Sequence, residues 1–435
     1  MAEVGQRRVV VTGYGCITPF GNTTEAVWDG LSSSRNAVAR LKSLPSDALP
    51  TSFGAEALGF TGAIEEFGPL DKAQQRSIRK NIKVMCREIQ MGVAAAQLAM
   101  HHAELASGKY DPERTGVVYG SDYMMTLPEE YAAGVKKCEA ELGDRNFDSW
   151  AGLGMPEINP LWLLKYLPNM PASHIAIFND MRGPNNSLTL RESSSNAAIG
   201  ESFMTIGRGH ADVVVAGATG TRVHEMRSVH TILQETIATG EFAGLCRPFD
   251  KNRSGMVLGE GAGAMVLETL EHAEARGAKP LAEILGQGMS TVIAKNGESN
   301  RRLALTNAIR AALHDAQLSP TDIGHIHAHG LSTVDSDQQE AEAIVDVFGD
   351  PAKQPPVIAA KSSFGNLGAA GGVVELIASL IAIREKQLFP VLNYETPDPA
   401  CPVNLVRQSM PAPQGPVLNL SVTPQGQAAV IIAGV

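Results

Sequence analysis

Cysteine is scarce in this 435-residue chain: Cys16, Cys86, Cys138, Cys246 and Cys401 are odd in number and widely spaced. No two stand in C-x-x-C spacing, so neither a disulfide framework nor a zinc site is indicated, and no metal or cofactor is expected. Long apolar runs are missing too. No window offers about 18 uninterrupted apolar residues, and the opening MAEVGQRRVVVTGYG has no apolar stretch of signal-peptide length. A cytoplasmic protein in a reducing compartment, with no membrane contact, is the expectation. Positive charge is in deficit: 36 Lys and Arg face 46 Asp and Glu, for a formal net charge of −10. Nucleic-acid binding generally needs a basic footprint, so that partner class is set aside.

What is present is an ordinary globular composition, with 44% hydrophobic and 19% charged residues, and abundant turn formers in 43 Gly and 25 Pro. Short β-branched runs alternate with helical stretches. Arg8–Val11 reads as a buried strand ending in a turn at Thr12–Gly15. Strands follow at 115–120, 211–217 and 263–267, with helices at 84–100 and 196–207 between them. A second series starts near Pro280. Strands at 281–288, 323–327 and 357–360 lead to a long helix at 372–384 and a final strand pair at 417–422 and 429–432. This alternation predicts a layered α/β fold with buried strands. Gly259–Gly261 and Gly286–Gly288 read as turns. The proposed organisation is an N-terminal half at 1–268 and a C-terminal half at 269–435. Residues 121–170 form a loop-and-helix insertion punctuated by Pro156, Pro160 and Pro168.

Seven short motifs occur in order: an opening VVVTGYGCITPFGN, then Leu167–Met170 (LPNM), Gly183–Asn185 (GPN), Cys246–Asp250 (CRPFD), Leu258–Ala262 (LGEGA), Ala328–Gly330 (AHG) and Asn393–Pro399 (NYETPDP). Together they make the chain resemble the β-ketoacyl-acyl-carrier-protein synthases of the thiolase superfamily. The resemblance implies two similar βαβαβαββ halves in an α-β-α-β-α arrangement, a dimer, and an acyl carrier protein as partner. It also implies a role in fatty-acid or polyketide biosynthesis.

In that family a cysteine at a strand-to-helix turn accepts the acyl group as a thioester, helped by the positive end of the helix. Counting on from Gly183 puts Glu192 in the cysteine's place. A carboxylate could form only a mixed anhydride, which water readily attacks. His329 matches the family's first catalytic histidine, Lys361 its lysine, and Glu340 its buried structural glutamate. The second histidine is replaced by Asn366, which can hydrogen-bond a carbonyl but cannot relay protons. Thr423 stands where an aromatic gate belongs, with Pro424 in place of a glycine.

Three departures around one site imply a changed role: a non-condensing partner of an active synthase, like a chain-length factor, in a heterodimer. The alternatives are a malonyl-carrier-protein decarboxylase, another acyl-carrier-protein reaction using Glu192, or a homodimer. Glu192 is expected in the pocket, paired with Lys361 or His329; its plainer role is a helix first-turn carboxylate. Arg76, Arg79, Lys80 and Lys83 fall at i, i+3, i+4 and i+7, with Arg87 a turn further on, and form the candidate docking face for an acidic carrier protein. Cys246 is read as a buried structural cysteine. His325, His327 and His329 share one strand face without a further ligand to suggest a metal.

Overall fold

The computed structural model describes residues 7–45, 49–106, 108–142 and 148–435. The first seven strands are β1 Val9–Ile17, β2 Ala39–Arg40, β3 Phe53–Ala55, β4 Thr115–Ser121, β5 Asn185–Leu188, β6 Val213–Thr221 and β7 Leu258–Thr269. The rest are β8 Ala282–Thr291, β9 His325–His327, β10 Val357–Ile358, β11 Gln387–Leu388, β12 Met410–Pro411, β13 Val417–Val422 and β14 Gln427–Gly434. Six helices precede the chain midpoint: α1 Thr24–Ser32, α2 Lys72–Asn81, α3 Arg87–His102, α4 Pro128–Leu142, α5 Met170–Asn179 and α6 Ser194–Gly207. Six follow: α7 Glu225–Gln234, α8 Leu270–Ala275, α9 Arg301–Asp315, α10 Val334–Phe348, α11 Lys361–Phe364 and α12 Gly371–Arg384.

The main strand order is β10-β9-β13-β14-β8-β1-β7-β6-β4-β5. One pairing pattern occurs twice. In β5-β4-β6-β7-β1 the first two pairings are parallel and the last two antiparallel, and β10-β9-β13-β14-β8 repeats this. A short antiparallel pairing of Val9–Val11 with β8 joins the two sets. Helices α6 and α12 pack on each other and on strands of both sets, making the central layer. Helices α3 and α5 cover one outer face, and α9, with α10 behind it, covers the other. The result is five alternating layers, with strands such as β6, β7 and β13 buried along their whole length.

The glycines read as turns in the sequence are strand residues instead. β1 runs straight through 12–15, with a bulge between Val11 and Gly13. A Cβ on Gly15 would lie 2.5 Å from the Ala95 carbonyl of α3, so the glycine permits a close helix-on-sheet approach. Gly286 does the same in β8, where a Cβ would meet the Ala316 amide at 2.6 Å. Gly259 and Gly261 likewise lie within β7. Within 121–170 the chain forms α4 followed by short helical turns at 150–157 and 162–165; residues 143–147 fall outside the described residues.

Candidate functional site

The parallel strands of both sets end on a common centre. From the first set, β4 leads to Asp122, β5 to Arg191 and Glu192, and β6 to Arg222. From the second, β9 leads to His329, β10 to Lys361 and β13 to Thr423. Carboxyl ends of parallel strands are where α/β folds characteristically hold ligands, because the connecting loops there are free to carry function. Glu192, Arg222, His329, Lys361, Asn366 and Thr423 are all buried.

Glu192 lies in a one-turn helix that feeds α6, directly after Arg191, whose backbone is left-handed at φ 51°. The expected pairing with Lys361 or His329 is not formed. Glu192 instead receives Arg222 Nη2 and, at 3.2 Å, Asn366 Nδ2 on Oε1, while Arg191 Nε stands 3.6 Å from Oε2. Lys361 is engaged elsewhere: its Nζ donates to Glu375 Oε1 at 2.6 Å and to His329 Nδ1 at 3.3 Å. Two arginines that sequence reasoning did not weigh therefore win the carboxylate, and Lys361 keeps a carboxylate partner of its own.

Those contacts belong to a chain of alternating charge. Glu235, at the end of α7, binds Arg191; Arg191 neighbours Glu192; Glu192 binds Arg222; Arg222 reaches Asp122 at 3.3 Å; and Asp122 binds Arg227 at 2.5 Å. Arg222 Nη1 also lies 3.8 Å from Glu235, closing a ring of four. Burial by itself would raise the pKa of Glu192, but Arg222 and Arg191 outweigh it and hold the carboxyl well below the usual range. For Asp122 burial wins over Arg222, pushing it up to about 6. Glu235 is raised too, chiefly by burial. Among these charges only Glu192 was anticipated. The available signal was a charged residue placed immediately after a fully buried strand, as Asp122 follows β4 and Arg222 follows β6.

On the other side, burial and then Lys361 push the His329 imidazole well below its ordinary pKa, so it is neutral. Lys361 donates to Nδ1, which leaves the proton on Nε2, and Nε2 is buried with no hydrogen-bond partner. Glu340 accepts the amides of His329 and Gly330 at 2.6 and 2.8 Å, fixing the turn that carries the histidine. The Thr423 hydroxyl accepts the Gln427 amide at 3.2 Å across the tight β13–β14 turn. The Ser193 hydroxyl donates to the Gln427 carbonyl at 2.7 Å and ties that turn to the Glu192 segment.

Family profiles for the Beta-ketoacyl synthase N-terminal and C-terminal domains match residues 6–273 and 281–395. The chain belongs to the β-ketoacyl synthase family. It is 30% identical over 407 residues to the 3-oxoacyl-[acyl-carrier-protein] synthase 2 of Staphylococcus aureus strain COL, covering 92% of this chain and 91% of the relative. The ishigamide ketosynthase/chain length factor superposes with a TM-score of 0.81 at 28% identity, covering 99% of both chains. A type II polyketide synthase structure, in which an acyl-carrier protein is in complex with its ketosynthase bound to the hexaketide, superposes with a TM-score of 0.80 at 25% identity, again covering 99% of both. The fold is the thiolase-like α/β arrangement of the ketosynthases.

Within this synthase fold the remaining candidates distribute as follows. Arg76, Arg79 and Lys80 are exposed on α2. Lys83 is exposed on the helical turn at Ile82–Val84 that ends α2, so the four do not share one continuous helix. Arg79 reaches Glu65 at 3.8 Å. Arg87, at the start of α3, is half-buried and binds Glu260 through two nitrogens. Cys246 is buried, its thiol donating to the Lys361 carbonyl at 2.9 Å and pushed up to about 12 by burial. His327 is tied to Ser379 and to the Ala360 amide. Among the described residues no group of three His, Cys, Asp or Glu is placed to hold a metal ion, and no helix is long and apolar enough to cross a membrane.

Proposed function

We propose that this chain is a non-condensing member of the β-ketoacyl synthase family that works beside a cysteine-bearing synthase on carrier-protein-bound acyl chains. The observation that carries this reading is the buried Glu192–Arg222 ion pair. A carboxylate at the nucleophile position, neutralised by two guanidiniums and hydrogen-bonded to Asn366, is a weak nucleophile whose acyl product would be a hydrolysable anhydride. With Asn366 in place of a histidine, the centre also lacks a second imidazole for proton transfer. The ion pairs place fixed charge at the strand ends, which suits a subunit that shapes a partner's chain tunnel. Arg76, Arg79, Lys80 and Lys83 are the surface offered to an acidic acyl carrier protein.

Malonyl decarboxylation is the second reading, and one feature favours it: His329 Nε2–H is unpartnered and could donate to a thioester carbonyl. Ionised Glu192 opposes it. Held ionised by Arg222 and Arg191, it has neither a proton nor an N–H to offer a developing enolate, and Asn366 replaces the second histidine.

Co-expression with a cysteine-bearing ketosynthase homologue tests the partnership. A purified one-to-one heterodimer is the expected product; two separate homodimers under the same conditions count against it.

A further inference from the structure

The charged ring leaves more N–H groups unmatched than carboxylate oxygens, of which Glu192 Oε2 and Glu235 Oε2 lack a donor. Arg191 Nε, Arg222 Nε and Arg222 Nη1 are buried without a hydrogen-bond acceptor, as are Nε and Nη1 of Arg227. A guanidinium offers five N–H groups, and leaving them unmatched in a dry interior is costly. Asp122, at the end of β4, and Glu192, in the helical turn before α6, are buried inside the protein. Glu235 is different: it caps the last turn of α7 and lines a surface depression of about 250 Å³ together with Arg301, Leu331 and Pro424. Its carboxylate is bound by Arg191, with Arg222 at 3.8 Å and its Oε2 left without a donor. Arg191 is held in a left-handed conformation that L residues enter only at a cost, which marks the placement of its side chain as enforced by its surroundings.

We propose that Arg191 and Arg222 form an anion site for a small carboxylate, and that Glu235 is a tethered carboxylate occupying it. A ligand carboxylate arriving through the depression would take the two guanidinium forks as Glu235 withdraws to solvent. Planar bidentate pairing suits a carboxylate on arginine, and the ligand is a free acid or the carboxylate end of an acyl chain. The proposal concerns binding alone, so it stands or falls separately from whether the chain condenses acyl groups. A tethered competitor acts at high effective concentration, and its removal exposes the site.

The test uses the purified full-length protein with sodium malonate and sodium acetate as probes, against sodium chloride at matched ionic strength. Binding is read by ligand-observed NMR and by the shift in melting temperature. Glu235→Ala should bind malonate saturably and about tenfold more tightly than the native protein, with a matching rise in melting temperature. Glu235→Gln, which keeps the shape and folding contacts, should show the same direction. Adding Arg191→Gln to either variant should abolish the gain. Overturning results would be carboxylate effects no larger than those of chloride in both variants, a gain that survives Arg191→Gln, or phosphate binding as tightly as malonate. A malonyl thioester of pantetheine, compared with its methyl ester, then separates the two sources: preference for the acid form assigns an acyl-chain end, and no preference assigns a free acid.

Discussion

Arg222 Nη2 donates to Glu192 Oε1 with both side chains shut away from solvent. Arg222 starts at the end of β6 and Glu192 at the head of α6, so one ion pair fastens two layers of the fold across the centre of the site. Charges buried this deeply persist only when paired, because each would otherwise pay several kcal/mol of lost hydration.

Removing one partner should therefore be severe. Arg222→Met leaves Glu192 and Asp122 without their shared cation, and we expect a loss of about 3–5 kcal/mol in denaturant unfolding. Glu192→Gln/Arg222→Met should lose clearly less than the sum of the two single changes, since the second substitution removes the charge the first one strands. Additive losses would mean the pair contributes little as a pair.

The pH dependence follows from the same pair. The folded Glu192 carboxyl is depressed below its unfolded value, about 4.3 for a free glutamate. At neutral pH both states are ionised and the stabilisation is fully present. As pH drops below the unfolded value, the unfolded chain takes up the proton first and the stabilisation is lost. The stability that Glu192 contributes, read as the gap between the native protein and Glu192→Gln, should narrow as pH falls below about 5. A gap that fails to narrow below about pH 5 would contradict an ionised, paired Glu192.

Docking of a carrier protein should depend on the basic surface of α2. Arg79→Glu/Lys80→Glu is expected to weaken binding of an acyl carrier protein by about tenfold or more at low salt, measured by titration calorimetry, with unchanged melting temperature. Both side chains are exposed, so the fold does not rely on them. Equal affinity for the native and reversed surfaces would remove this face as the docking site.

Much of the fold was legible because its strands are buried runs of Val, Ile and Ala, and periodicity reports burial directly. β13 at Val417–Val422 matches its reading residue for residue, and α12 begins one residue from it. The errors came from glycine. At Gly15 and Gly286 the missing side chain serves a helix approaching a sheet, and a single sequence does not distinguish that use from a turn. The site was half legible. His329, Lys361 and Asn366 stand in short motifs, whereas the partners of Glu192 come from the ends of separate strands and from α7. Asp122, Arg222 and Glu235 have no fixed spacing to Glu192, so only the fold brings them together.

The central claim is tested most directly by intact-mass analysis of malonyl-carrier protein and acyl-carrier protein incubated with this protein alone. The account predicts unchanged carrier masses, no acyl adduct on Glu192 and no β-ketoacyl product. Time-dependent conversion of malonyl- to acetyl-carrier protein that disappears in Glu192→Ala, or any condensed product, would contradict it.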